Sequence, residues 1–215
     1  VTRFGEAEFA RVKDIMPAYD YALQIMATKL RIIYMHYESV GDYNPINHIQ
    51  SRLKSFESMA EKLSRKGLPL TAGAAREYLD DIAGVRVICS FAKDIATVVD
   101  TLERQQDIYV VRKTDYIESP KETGYRSYHL IVEVPIYLPA DRIRVKAEVQ
   151  IRTQGMDFWA GMEHKARYKN EGTIPPNLAR ELRVCSERIA ELDRQMSLIH
   201  DKIRMFNDDE NAAGE

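Results

Sequence analysis

The sequence predicts an α/β or α+β domain, a mixed sheet flanked by helices, with a long amphipathic helix at each end. Three observations lead there. Apolar residues recur every three or four positions at both ends of the chain, and every second position through its middle. The length of 215 residues holds one full domain, or one domain with an added helical element. A hydrophobic content of 45% and a charged content of 30% belong to a globular chain and exclude collagen-like, disordered and disulfide-rich classes.

The first helical segment, residues 1–40, carries the stripe Phe9, Val12, Met16, Tyr19, Leu23, Met26, Leu30, Ile33 and Tyr37. Pro17 interrupts it, so the helix is expected to start or kink there. Gly41-Asp42-Tyr43-Asn44-Pro45 reads as a turn. A second helix is expected next, with Ile49, Leu53, Phe56, Ala60 and Leu63 inward, ending near Gly67 with Pro69 just beyond. The period then changes. Val85, Val87, Cys89 and Phe91 alternate with Arg86, Ile88 and Ser90 as in a strand, residues 93–105 read as a helix, and Ile108 to Lys113 as a strand. Tyr128 to Val134 and Ile143 to Ile151 alternate again and are expected to pair antiparallel across the loop near Pro139. Thr153 is placed to cap a helix running to about Lys169. This central domain spans 41–172. A C-terminal helix, 173–206, begins after Pro175-Pro176 with the stripe Leu178, Leu182, Cys185, Ile189, Leu192, Met196, Ile199, Ile203 and Phe206. Residues 207–215, which open with Asn207-Asp208-Asp209-Glu210, read as a disordered acidic tail.

Charge and cysteine usage narrow the classes further. With 31 basic and 33 acidic residues, the net charge of −2 gives no global attraction to nucleic acid, so any anion site must come from local clustering. No run approaches the ~18–20 apolar residues that span a bilayer. The opening residues lack the apolar core of a signal peptide, and Cys89 and Cys185 make neither a disulfide framework nor a zinc site. A reducing cytoplasm is the expected location.

Three constellations carry chemistry. Asp80-Asp81 precedes the strand that begins near Gly84, and Glu148 lies on the polar face of a later strand. Carboxylates on neighbouring strands are a common way to hold Mg²⁺; the plainer alternative is a turn cap and an ion pair of Glu148 with Lys146 or Arg144. Lys54, Ser58 and Lys62, with Arg65 close to the same line, fall on one face of the expected second helix, as a phosphate track or a solvated face. Arg52 at the edge of the apolar stripe, and Arg86 on the polar face of the first strand, offer planes that lie flat on an aromatic ring. The loop from Glu118 to His129 gathers Lys121, Arg126 and His129 about Tyr125, as nucleobase stacking with phosphate contact requires; a surface hairpin with Tyr125 or Tyr128 in the core is the alternative. Cys89 reads as an inert core thiol, and the histidines show no metal-binding spacing. His200-Asp201 reads as surface.

The runs Asp81-Ile82-Ala83-Gly84-Val85-Arg86, Gly124-Tyr125-Arg126-Ser127-Tyr128-His129, Glu148-Val149-Gln150-Ile151-Arg152-Thr153, Phe158-Trp159-Ala160 and Glu163-His164 occur in this order. The chain thereby resembles the synthetase domain of the RelA/SpoT family, over roughly residues 40–170, and without further domains it looks like a small alarmone synthetase. The resemblance implies a nucleotidyltransferase-like sheet and a pyrophosphokinase that moves pyrophosphate from ATP to the 3′-hydroxyl of GTP or GDP, releasing AMP and giving (p)ppGpp. It implies that Asp81 and Glu148 hold Mg²⁺ and are catalytic, that Arg52 and Arg86 sandwich adenine, and that Lys54, Ser58 and Lys62 contact ATP phosphates. Tyr125 would stack on the acceptor guanine, with Lys121 and His129 on its phosphates. A homotetramer and a regulatory alarmone or single-stranded RNA are further implied partners. Departures from the family are Thr114, where relatives carry an arginine, with Lys113 one position earlier, and the mostly apolar stretch Ala27 to Tyr34, which keeps Lys29 and Arg31. No hydrolase domain is expected in a chain this short. The rival functions are a related transferase acting on an adenosine nucleotide or RNA, and a catalytically silent RNA-binding relative.

Overall fold

The computed structural model describes residues 2–41, 43–169 and 174–213. In chain order the elements are α1 (Glu6–Val40), β1 (Ile46–Leu53), α2 (Phe56–Arg65), α3 (Ala72–Tyr78), β2 (Ala83–Cys89), α4 (Ala92–Glu103), β3 (Tyr109–Asp115), β4 (Tyr128–Tyr137), β5 (Arg142–Thr153), α5 (Gln154–Lys169) and α6 (Pro176–Ala213). The strands form one mixed sheet in the order β1-β2-β5-β4-β3. Only β2 and β5 run parallel; the other neighbours are antiparallel.

Strand alternation divides the sheet into two unlike faces. Val145, Ala147, Val149 and Ile151 of β5 are buried with Val85 and Val87 of β2 and Leu130, Val132 and Val134 of β4. Against this apolar face pack α1, which crosses β1, β2, β5 and β4, and α4, which lies on β5 and β2. Helix α1 contributes Val12, Tyr19, Ala22, Leu23, Met26 and Leu30 to the core. Each such large side chain contributes about 1.5–3 kcal/mol on burial. The opposite face presents Gln50 and Arg52 of β1, Gly84 and Arg86 of β2, Glu148 and Gln150 of β5 and His129 of β4, because register pairs Gly84 with both Arg52 and Glu148, Arg86 with Gln50 and Gln150, and His129 with Gln150.

Several expectations need correction. Residues 46–53 form an edge strand, not the first half of a helix. Their apolar residues fall at three- and four-residue spacing, which mimics a helix, but the segment is largely exposed and its backbone bonds to β2. The helix proper starts only after Ser55, whose hydroxyl accepts from Ser58 N. Pro17 lies inside an unbroken α1. Its fixed φ suits a helix, and the buried residues on both sides offset the lost hydrogen bond, about 3 kcal/mol. The short α3, capped by Thr71, had no sequence signal. Helix α6 continues to Ala213, through the stretch from 207 expected as a disordered tail, because no glycine or proline interrupts residues 177–213. Asp42 of the expected turn, the junction at 172/173 and residues 214–215 lie outside the described residues.

Helix α6 turns a polar edge inward. Its Ser186 is buried, Asp193 accepts from Thr153 Oγ1 at 2.6 Å, and Trp159 of α5 donates to Leu182 O at 2.7 Å. His200, expected at the surface, stacks on Phe91 with ring centroids 4.4 Å apart, and Asp201 pairs with Lys93. Leu178, Leu192, Met196, Ile199, Ile203 and Phe206 remain exposed. No helix among the described residues is long and apolar enough to cross a membrane.

Candidate active site

Two carboxylates face one cleft. Asp81 ends the turn before β2, and Glu148 lies in β5 opposite Gly84. Both line a cavity of about 250 Å³ together with Gln50, Ser51, Arg52, Gly84, Val85, Arg86 and Gln150. Gly84 leaves the floor between Arg52 and Glu148 without a side chain, a place where a ligand can approach the backbone.

Lys54 and Lys62 do not share a helix face, since Lys54 precedes α2. They nonetheless meet: Lys54 Nζ lies 3.0 Å and Lys62 Nζ 2.9 Å from the same oxygen, Asp81 Oδ2. Lys54 is held there by its backbone N–H, which donates to Ile82 O at 2.8 Å. Burial pushes the Asp81 carboxyl up, but the two ammonium groups outweigh it and hold its pKa below the ordinary carboxylate value. Asp81 Oδ1 is buried with no hydrogen-bond partner. Ser58 is tied into the first turn of α2, where Ser55 Oγ donates to its hydroxyl at 3.1 Å. Arg65 is exposed in the last turn.

Glu148 is held at both oxygens. His129 Nδ1 lies 3.1 Å from Oε1, and Gln150 Nε2 donates to Oε2 at 2.6 Å. Burial raises its pKa, but the hydrogen bonds from His129 and Gln150 act against this, and the carboxyl is held below its ordinary value. The neighbouring Asp81 charge acts in the opposite direction.

The predicted aromatic loop sits beside this carboxylate. Lys121 O accepts from Gly124 N at 2.8 Å, and Lys121 N donates to Tyr125 O at 3.2 Å. This tight turn brings Lys121 Nζ to 4.5 Å from the Tyr116 ring centre and 4.8 Å from that of Tyr125. Burial lowers the Lys121 pKa. Tyr125 is half-buried, not free, and its hydroxyl lies 2.8 Å from His129 Nε2. Arg126 serves the loop itself, donating to Ile117 O at 2.7 Å. Tyr128 packs against the core, and Cys89 is fully buried there.

Four further residues had weak or no sequence signal. Arg152, Asp157, Tyr116 and Ser186 all touch the predicted site residues or their loop. Asp157 Oδ1 lies 3.0 Å from Nη1 of both Arg86 and Arg152. Arg152 has the polar phase of Glu148 in β5 and lies in the same ordered run, but neither feature gives it a role.

An oxygen-only pair of carboxylates, one with a buried unpartnered oxygen, fits a hard divalent cation that draws its other ligands from phosphates and water. Among the described residues no cluster of three or more His, Cys, Asp or Glu side chains makes a self-sufficient metal site.

The model of the region found in RelA/SpoT proteins matches residues 51–173. The GTP pyrophosphokinase YwaC of Bacillus subtilis is 46% identical over 184 residues, 86% of this chain and 88% of the relative. The GTP pyrophosphokinase YjbM of the same organism is 39% identical over 186 residues, 86% and 87% of the two chains. The crystal structure of small alarmone synthetase 1 from Bacillus subtilis, bound to its product pppGpp, superposes with a TM-score of 0.81 at 39% identity, covering 86% of this chain and 94% of that one.

Proposed function

The chain belongs to the RelA/SpoT family, and from that premise we propose that it is a GTP pyrophosphokinase, transferring pyrophosphate from ATP to the 3′-hydroxyl of GTP or GDP with release of AMP. One observation carries this reading: Asp81 and Glu148 line one cavity, with paired guanidinium and ammonium groups on one side and the Lys121–Tyr125–His129 cluster on the other. That is room for a donor nucleotide and an acceptor nucleotide about a shared anionic centre.

Arg52 and Arg86, two strand positions apart across β1 and β2, hold the donor base between their planes. Lys54, from the segment before α2, and Ser58 and Lys62, from α2, contact the donor phosphates. Tyr125 carries the acceptor base, and Lys121 and His129 its phosphates. Lys121 must swing from the Tyr125 face for a base to stack there. The acceptor oxygen attacks the β-phosphorus in line, the bond to the AMP oxygen breaks, and the acceptor's proton passes to the ionised Glu148. Mg²⁺, held by Asp81 and Glu148 when bound, supplies charge neutralisation on the transferring group. The exposed apolar stripe of α6, with Ile25, Ile32 and Met35 of α1, supports a homotetramer.

The test is to incubate the protein with ATP, Mg²⁺ and each of GMP, GDP, GTP and ADP, and to separate the nucleotides. AMP together with a pyrophosphorylated guanosine nucleotide is expected. Product from ADP alone refutes the guanosine assignment, and absence of any product refutes the enzyme.

A further inference from the structure

Arg152 ends the polar row of β5 at 3% exposure, in the family's motif but without a role in the reaction described above. Its guanidinium forks. Nη2 donates to the Tyr125 hydroxyl at 2.8 Å and also to the Gln150 side-chain oxygen. From these two groups, two arms run to the same carboxylate. One passes from the Tyr125 hydroxyl to His129 Nε2 and from His129 Nδ1 to Glu148 Oε1, at 2.8 and 3.1 Å. The other passes from Gln150 Nε2 to Glu148 Oε2, at 2.6 Å. Five side chains thus close a ring. A guanidinium only donates and a carboxylate only accepts, so with the His129 proton on Nδ1 and Nε2 accepting from Tyr125, both arms point from Arg152 to Glu148. Nη1 meanwhile shares Asp157 Oδ1 with Arg86, which ties the ring to the donor side of the cleft.

We infer that Arg152 is a positioning residue of the transfer reaction. It fixes the acceptor platform through Tyr125 and the carboxylate of Glu148 through both arms, and Asp157 sets Arg86 in the same frame. The inference rests on the function proposed above. Arginine is required because one planar group must reach two acceptors and a carboxylate together; a lysine presents a single point charge. Without the fork, the Tyr125 hydroxyl and the Gln150 oxygen each lose a donor, both arms open, and Glu148 is free to leave the line of attack. Misplacement by about 1 Å can lose roughly 100-fold in rate.

The experiment compares the full chain with Arg152→Met, Arg152→Lys, Tyr125→Phe and the Tyr125→Phe/Arg152→Met double variant, varying ATP and GDP in turn, and solves the crystal structure of Arg152→Met. Arg152→Met is expected to lower kcat about 10–100-fold while the KM for ATP stays within about twofold. Arg152→Lys should recover only a small part of this. Tyr125→Phe keeps the stacking ring but opens one arm, so Arg152→Met should lose much less in that background than alone. In the crystal, Glu148 and His129 should leave their rotamers. Unchanged kcat, additive losses, or a KM for ATP that rises as steeply as kcat falls each overturn the inference. If the wild-type chain makes no product from any guanosine nucleotide, the proposed reaction fails, and the crystal structure decides the ring alone: unchanged Glu148 and His129 rotamers overturn it. Should Arg152→Met not fold, Tyr125→Phe and Gln150→Leu, each opening one arm, carry the same kinetic and structural readouts.

Discussion

Gly124→Ala gives the most quantitative test of how α6 supports the proposed acceptor loop. Gly124 has φ +92°, a conformation that costs an L-residue about 1–2 kcal/mol. A Cβ there would stand 3.1 Å from Ser186 Cβ and 3.2 Å from Arg183 Cα. The second contact is backbone and cannot swing aside, so overpacking adds about 1–3 kcal/mol. A smaller opposite effect, about 0.4–1 kcal/mol, comes from stiffening the unfolded chain. The net loss is roughly 1–4.5 kcal/mol, and at about 2–4 °C per kcal/mol for a chain of this size, Tm should fall by about 2–18 °C. Part of the strain can be relieved if α6 retreats. That breaks the 2.5 Å bond from Ser186 Oγ to Gly124 O and loosens the turn that carries Lys121 and Tyr125. The KM for the acceptor should therefore rise at least about tenfold, within the range measured for losing a stacked base, whereas the KM for ATP should barely move. Thermal unfolding, and initial rates with each substrate varied at saturation of the other, measure both effects. Adding Ser186→Gly removes one contact but leaves the φ strain, so it should restore stability only in part. A Tm within about 2 °C of wild type, or equal rises in the two KM values, would refute the argument.

Other outcomes follow from single features. Asp81→Asn and Glu148→Gln should each lower synthesis by several orders of magnitude with the fold retained by circular dichroism; near-normal rates in either would reject the paired-carboxylate site. Burial raises the Asp193 pKa above its ordinary 3.8, against the hydrogen bond from Thr153. Its ionised form is therefore disfavoured in the fold, and the resulting penalty is absent below pH 3.8 and grows as pH rises through the folded value. Asp193→Asn keeps an acceptor for Thr153, so it should raise Tm at pH 8 and lose that advantage in acid; a lower Tm at pH 8 would show that the charge is stabilising. Leu192 is 56% exposed on α6, so Leu192→Glu should leave the subunit folded and reduce the mass measured by light scattering. A wild-type mass near that of one 24.8 kDa chain would remove the proposed tetramer.

The central strands and the two long helices were legible because their periods are local properties. Strand side chains alternate, and helical ones return every 3.6 residues, whatever they later touch. The same rule misassigned residues 46–53: an edge strand buries so little that nothing forces clean alternation, and chance spacing then looks helical. Asp81, Glu148, Tyr125 and His129 were legible through ordered motifs. Lys54 and Lys62 were rightly paired on a wrong geometry, since a loop and a helix, not one helical face, bring both to Asp81 Oδ2. Their meeting depends on how α2 seats beside the turn before β2, which no periodicity encodes.

By itself, then, the sequence determined the alternation of elements, the family motifs and which residue types would cluster. The tertiary structure alone decided which faces turn inward and which distant groups share a proton. Helix α6 shows the division. Its periodicity singles out Leu178 to Phe206 as the apolar stripe, yet the edge carrying Ser186, Asp193 and His200 meets the domain and most of the stripe stays exposed. Arg152 shows it again, joined to Tyr125 from 27 positions away and to Asp157 from the next helix. Backbone sterics act over a few residues and are written in the order of the chain. Long-range hydrogen bonds exist only after sheet register and helix docking have set the positions of groups that the sequence keeps apart.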